Sequence, residues 1–261
     1  MLQLLPGRVT IENDVVFGTT GSRDLKCDIF HPPPGGDRWP GLLIIHGGGW
    51  YSGDRNQLRY YGIQLARYGF VGVACEYRLS GEAAWPAQIH DVKAAVRWMR
   101  AKARRLNIDE GKICVTGNSA GAHLALMLGC QTDAFEGAGG NPKVSSQCAA
   151  VSAIYPPTEI HFNKNEVENK LLGEAGNEAI AAKASPINYA DQVVPPSESF
   201  NMYQALNKAG VAVELHVFDG APHAFDSLAE FAKPCVQLMN LFFDRKVVNP
   251  RPVVIPEVTG P

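Results

Sequence analysis

At 261 residues with a formal net charge of −2, the chain is long enough for one large core and carries no charge field for nucleic acid or an anionic membrane. No apolar run has the length of a bilayer span, and Met1-Leu2-Gln3-Leu4-Leu5-Pro6-Gly7 is too short for a signal peptide, so the chain reads as cytoplasmic, or as exported with its signal already removed. Its six cysteines are scattered through apolar runs, which suits small buried residues better than a disulfide framework or a zinc site. In chain order, residues 9–17 and 25–30 alternate polar and apolar side chains, the pattern of an antiparallel pair with one wet face. Residues 39–45 form an apolar run that predicts a fully buried strand, followed by a helix around 56–68 and a second apolar strand over 70–76. Pro86 opens an amphipathic helix to 106, with Ile89, Val92, Val96 and Met99 on one face. Buried strands at 112–116 and 149–155, a helix over 195–206 and a last strand over 211–218 complete the pattern. Strands alternating with helices predict a mostly parallel sheet, with a site at the carboxyl ends of its strands. Residues 1–246 read as one domain, and the proline-bearing tail 247–261 as extended.

Two segments carry chemistry. The strand at 112–116 runs into Gly117-Asn118-Ser119-Ala120-Gly121 and then an apolar helix. A serine between glycines at a strand-to-helix turn is a nucleophile elbow: the glycines permit a tight turn, and the helix N-terminus favours developing negative charge. The strand at 39–45 runs into His46-Gly47-Gly48-Gly49-Trp50, whose glycines leave backbone N–H groups uncovered. Acyl transfer needs such donors about 3 Å from its oxyanion, each contributing roughly 3 kcal/mol to lowering the barrier. Gly48, Gly49 and Ala120, just after the serine, are the candidate donors. His46 reads as a structural residue of that loop.

Together these phrases, with Glu76-Tyr77-Arg78-Leu79-Ser80 and the Trp85-Pro86-Ala87-Gln88-Ile89-His90-Asp91 run, resemble the α/β-hydrolase superfamily over roughly residues 9–243. The likeness is to bacterial esterases of the hormone-sensitive-lipase and feruloyl-esterase-like kind. It implies an α/β-hydrolase fold with residues 160–190 as a small helical cap. The fold's chain order is nucleophile, acid, histidine, with the histidine on the loop after the last strand. His223, in Asp219-Gly220-Ala221-Pro222-His223-Ala224-Phe225, stands there, although Ala224 replaces a common glycine. His123 reads as packing, His216 lies within the predicted last strand, and His161 begins the cap.

The acid marks a departure. In the resembled family, a buried strand follows a phrase like Ala184-Ser185-Pro186-Ile187-Asn188-Tyr189-Ala190 and delivers the aspartate, whereas here Ala190 runs straight into Asp191-Gln192-Val193-Val194-Pro195. By the usual lengths of a strand and its loop, roughly a dozen residues are absent. The sheet is then one strand short, and pairing 211–218 with the 149–155 strand would displace the final loop by about 4.8 Å. Asp191 is the expected triad acid, with Glu159 as a substitute and Glu198 and Asp226 as weaker ones.

The implied reaction is hydrolysis of a short acyl, aryl or carbohydrate ester through an acyl-enzyme, with Ser119 as nucleophile, His223 as base and no metal or organic cofactor. Trp50, Tyr51 and Trp85 are read evenly as lining a small-molecule ester site or as core. Three readings stand beside it: an arylformamidase-like amide hydrolase, a catalytically impaired or binding scaffold, and a shortened version of a longer enzyme. A missing strand also exposes a sheet edge, which invites pairing of two copies.

Overall fold

The alternating N-terminal segments become a hairpin in the computed structural model, which describes residues 2–130, 133–189, 198–218 and 220–252. Strands β1 (Thr10–Thr19) and β2 (Asp24–His31) pair antiparallel, and β2 continues antiparallel onto β4 (Val71–Cys75). The apolar runs give the parallel part: β3 (Trp39–Ile45) lies between β4 and β5 (Ile108–Asn118), and β6 (Ala150–Ile154) pairs with β5. The order is therefore β1-β2-β4-β3-β5-β6.

Both faces of the central strands are covered, which is why they read as continuous apolar runs. Successive side chains of β3 part company: Leu43 and Ile45 join the core formed with α2 (Ala87–Ala101) and α4 (Ala120–Gly129), while Leu42 and Ile44 pack with α1 (Arg59–Ala66) and the C-terminal helix. A short α3 (Ala103–Leu106) continues from α2, ending at Asn107 in a left-handed conformation. After β6 come the helices expected of the cap, α5 (Glu166–Leu172) and α6 (Glu178–Ala184), with Asn165 and Asn177 capping them by accepting from Glu168 and Ile180 N–H. Then follow α7 (Glu198–Lys208) and α8 (Ala229–Phe243).

Two expectations need correction. Residues 211–218 form no strand, and β6 is the outer strand of the sheet among the described residues. The segment is held away from β6 by its own tethers: Val211 N–H bonds to Leu206 O at 2.9 Å, Glu214 pairs with Arg245 at 3.1 Å, and Phe218 packs on Phe225 and Phe231. A ladder needs strands about 4.8 Å apart. Instead a cavity of about 1330 Å³ lies there, lined by Val151 and Ala153 of β6, Met202 and Leu206 of α7, Val213, and Phe242 of α8. The extended tail also begins later than residue 247: Asp244–Val248 prolongs α8 as a π-helical turn, Val247 is buried, and Lys112 Nζ reaches Val248 O at 3.4 Å. The predicted start of α7 at Pro195 lies outside the described residues.

Candidate active site

Ser119 stands between β5 and α4 with φ 50° and ψ −121°, a conformation that side chains other than glycine rarely adopt. Such a residue carries strain of about 1–3 kcal/mol, held by its surroundings. Here the Ser119 N–H bonds to Ile154 O at 2.9 Å, while His123 N–H bonds to Ser119 O at 3.0 Å. Close backbone packing leaves the elbow no room: a methyl at Gly121 would stand 2.1 Å from Ile45 O, the last residue of β3. That approach brings the loop after β3 beside the elbow.

The loop is the glycine run. Gly48 has φ 109°, and a methyl there would lie 2.2 Å from Ser52 O, so the turn admits glycine alone. Ser52 closes the loop by donating from both N–H and Oγ to Gly48 O, at 3.0 and 2.9 Å. A methyl at Gly47 would stand 3.3 Å from Ser119 Cβ, so the loop lies directly over the serine. Among the described residues, neither the Gly48 nor the Gly49 N–H has an acceptor. Ala120 opens α4, where an N–H has no acceptor within the helix. The three expected oxyanion donors thus belong to segments that meet at Ser119.

The surroundings of the loop are structural. His46 is buried, stacks on Tyr77 with ring centroids 4.4 Å apart, and places Nδ1 2.7 Å from Gly47 O. Burial holds its pKa below the ordinary imidazole range. Trp50 is buried too, donating its indole N–H to His123 Nδ1 at 3.2 Å. Because indole only donates, Nδ1 is the acceptor and Nε2 carries the proton given to Ala184 O, 2.7 Å away. His123 therefore ties the glycine loop, the elbow helix and the end of α6 together. Trp85 packs edge-on against the same imidazole and against Phe135. Of the three aromatic residues expected near the substrate, Trp50 and Trp85 are core, and Tyr51 is exposed beside the loop with Lys170 over its ring.

The other family-like phrases hold each other. Arg78 makes a two-pronged ion pair with buried Asp91, at 2.8 and 2.7 Å, and Gln88 donates to Arg78 O and Ala83 O. Arg55, just past the glycine loop, pairs with Asp14, Asp28 and Glu76, anchoring that loop to the hairpin and to the end of β4.

His223 lies at the same end of the sheet, exposed, with its ring on Tyr155 at a centroid distance of 4.6 Å. Among the described residues no hydrogen bond joins it to Ser119. Asp191 lies outside the described residues, as does the side chain of Glu198. Glu159, the substitute acid, is exposed and turned to His161 at 3.9 Å, so it does not serve His223. His216 pairs with Glu214 at 3.7 Å.

Asp226 is the carboxylate buried here. It accepts from the Tyr155 hydroxyl and from Asn118 Nδ2, the latter at 3.3 Å, and Asn118 also donates to Tyr155 Oη at 3.0 Å. Tyr61 of α1 donates to Asp226 O at 3.2 Å. Burial pushes the Asp226 carboxyl above the ordinary carboxylate range, against the pull of the Tyr155 and Asn118 bonds and of nearby His223. The sequence reading missed the partners in this cluster. Asn118 is a variable position of the elbow pattern and Tyr155 ends an apolar strand, so neither carries a local signal.

Residues 27–200 match the BD-FAE family. The chain is 30% identical to the esterase LipQ of Mycobacterium tuberculosis over 249 residues, 83% of this chain and 58% of LipQ, so it spans just over half of that relative. Among solved structures it is similar to the esterase Est2 of the planctomycete Thermogutta terrifontis, with a TM-score of 0.78 and 25% identity over 95% of this chain and 96% of that one. It is similar as well to a truncated carbohydrate esterase from gut microbiota, with a TM-score of 0.77 and 27% identity over 91% of this chain and 96% of that one. With the family model matching well over half of its residues, the chain belongs to the BD-FAE family of α/β-hydrolases.

Proposed function

We propose that this protein hydrolyses carboxylic esters of small acyl or aryl groups, including esters on carbohydrate, with Ser119 as nucleophile. The observation that carries this reading is the strained Ser119 beneath a glycine loop whose Gly48 and Gly49 N–H groups have no acceptor among the described residues. Strain at a turn of this kind holds the hydroxyl clear of its own backbone, and the free donors suit an oxyanion and little else. In the reaction, Ser119 Oγ attacks the ester carbonyl carbon while His223 takes its proton. The carbonyl electrons move onto oxygen, facing Gly48, Gly49 and Ala120. Collapse breaks the bond to the alcohol, which leaves with the proton from His223, and water then repeats the sequence on the acyl-enzyme. Asp191 is the carboxylate this reading assigns to His223 by chain order.

A second reading, a catalytically impaired scaffold, is favoured by one observation: no hydrogen bond links Ser119 and His223 among the described residues, and a base must come within about 3 Å of the proton it removes. Hydrolysis of p-nitrophenyl acetate and butyrate by the wild type, Ser119→Ala, His223→Gln and Asp191→Asn separates the two. The esterase reading expects loss in Ser119→Ala and His223→Gln by roughly a thousandfold or more, and a strong decrease in Asp191→Asn. A wild type no faster than Ser119→Ala establishes the scaffold instead.

A further inference from the structure

A buried carboxylate sits between the nucleophile's strand and the histidine loop, and the sequence offered it only as a weak substitute for the triad acid. Asp226 lies three residues beyond His223, on the same loop. Its carboxylate receives the Tyr155 hydroxyl on one oxygen and Asn118 Nδ2 on the other. Asn118 is the residue immediately before Ser119, and Tyr155 follows β6 immediately after Ile154, whose carbonyl holds the Ser119 N–H. The Tyr155 ring in turn carries the His223 ring. Nucleophile, sheet edge and base loop therefore meet at one side chain, at the place where the sheet stops short.

Resting on the esterase reading above, we propose that Asp226 is a positioning residue of the site: by clamping Asn118 and Tyr155 together it fixes the His223 loop over the Ser119 elbow. The chemistry of the cluster is asymmetric in a way that makes this role specific. A carboxylate only accepts, and it faces two donors; an amide in its place presents an NH₂ group to one of them whichever way it turns. The hydrogen-bonding and titratable groups that face Asp226 are Tyr61 from α1, Asn118 from the end of β5, Tyr155 from the end of β6, Cys235 from α8 and His223 from its own loop. None of them is a cation competing for the carboxylate except His223 when protonated. The negative charge consequently also favours the imidazolium that forms as Ser119 attacks.

The test compares Asp226→Asn, Asp226→Glu, Tyr155→Phe and the double variant Tyr155→Phe/Asp226→Asn on p-nitrophenyl acetate, with Ser119→Ala as the blank and circular dichroism as the check of fold. The clamp predicts that Asp226→Asn lowers kcat by roughly tenfold to a hundredfold with KM within about twofold, since a misplaced base slows chemistry and not binding. Asp226→Glu restores part of that loss, and the double variant loses little more than the worse single one, because the two residues act as a unit. Wild-type kcat in a folded Asp226→Asn, or strictly additive losses, overturns the proposal while leaving the esterase reading intact. If Asp226→Asn fails to fold, Tyr155→Phe, which keeps the ring and removes one donor, decides by the same kcat and KM criteria. If the wild type is no faster than Ser119→Ala, the esterase reading fails by itself. The NMR signal of the His223 ring, assigned by its loss in His223→Gln, then decides for the clamp: it moves in Asp226→Asn and Tyr155→Phe if the clamp sets the ring, and stays in place if it does not.

Discussion

Single residues record how tightly this site is built. Ala224, directly after His223, has φ 65° and ψ 25°, the left-handed conformation in which an L side chain is disfavoured by roughly 1–2 kcal/mol. The resemblance to glycine-bearing relatives at this position thus has a physical basis, and Ala224→Gly is expected to raise stability by about 1 kcal/mol, offset in part by the greater freedom of glycine in the unfolded chain. A urea midpoint that falls in Ala224→Gly contradicts this account. His123 offers a second prediction. Burial holds its pKa down to about 4, so the folded protein keeps it neutral through a range in which the unfolded chain, titrating near 6.5, takes up a proton. The stability tied to neutral His123 is fully present above pH 6.5 and is lost as pH falls toward 4, by about 2 kcal/mol between pH 6.5 and 5. Urea unfolding at those two pH values measures the loss, and His123→Gln should flatten it; an equal slope in that variant would show that other groups carry the effect. The turn at Ser119 and the glycine loop beside it were legible from local pattern, since a tight turn imposes residue types at fixed spacing. The hydrogen-bonded cluster around Asp226 was not, because Tyr61, Asn118, Tyr155 and Asp226 come from four distant segments and share no spacing.

At the scale of elements, the sequence was read well where burial alone fixes the answer. The apolar run of residues 39–45 and the alternation of 9–17 each name a strand without reference to partners, because one is covered on both faces and the other on one. Residues 211–218 alternate equally well and are not a strand, since pairing depends on a neighbour at the right distance and not on the segment's own pattern. The C-terminal helix is the converse case: the sequence reading named no helix after His223, yet α8 closes one face of the sheet with Val236, Met239 and Phe243. Phe243 is fully buried against Phe70, at a centroid distance of 5.9 Å, and meets the core that also holds Leu42 and Ile44. Phe243→Ala is therefore expected to lower stability by about 3–5 kcal/mol. It should do so without touching the elbow, so that the fraction still folded retains wild-type kcat. A urea midpoint within experimental error of wild type would mean that α8 is not part of the cooperative unit.

At the scale of the whole molecule, the sheet among the described residues ends at β6, and that ending has a measurable consequence. Where a sheet's last strand is covered, its apolar neighbours are sealed from water. Here the cavity of about 1330 Å³ beside β6 keeps Val151, Met202, Leu206, Val213 and Phe242 in contact with a space wide enough for a small aromatic molecule. Pockets that hold drug-sized ligands are about 300–1,000 Å³, so volume sets no bar to entry. The native protein is expected to enhance the fluorescence of an anilinonaphthalene sulfonate dye at neutral pH, with its near-ultraviolet circular dichroism intact. That combination distinguishes a built cavity from a molten state, in which dye binding accompanies loss of fixed aromatic packing. Leu206→Trp and Val213→Trp, each adding bulk to a residue that lines the space, should each weaken dye binding and leave the spectrum of the folded protein unchanged apart from the added indole. Fluorescence that persists unaltered in both would place the dye elsewhere and imply that the segment 211–218 closes on β6 in solution, restoring the pairing expected of a sheet one strand short.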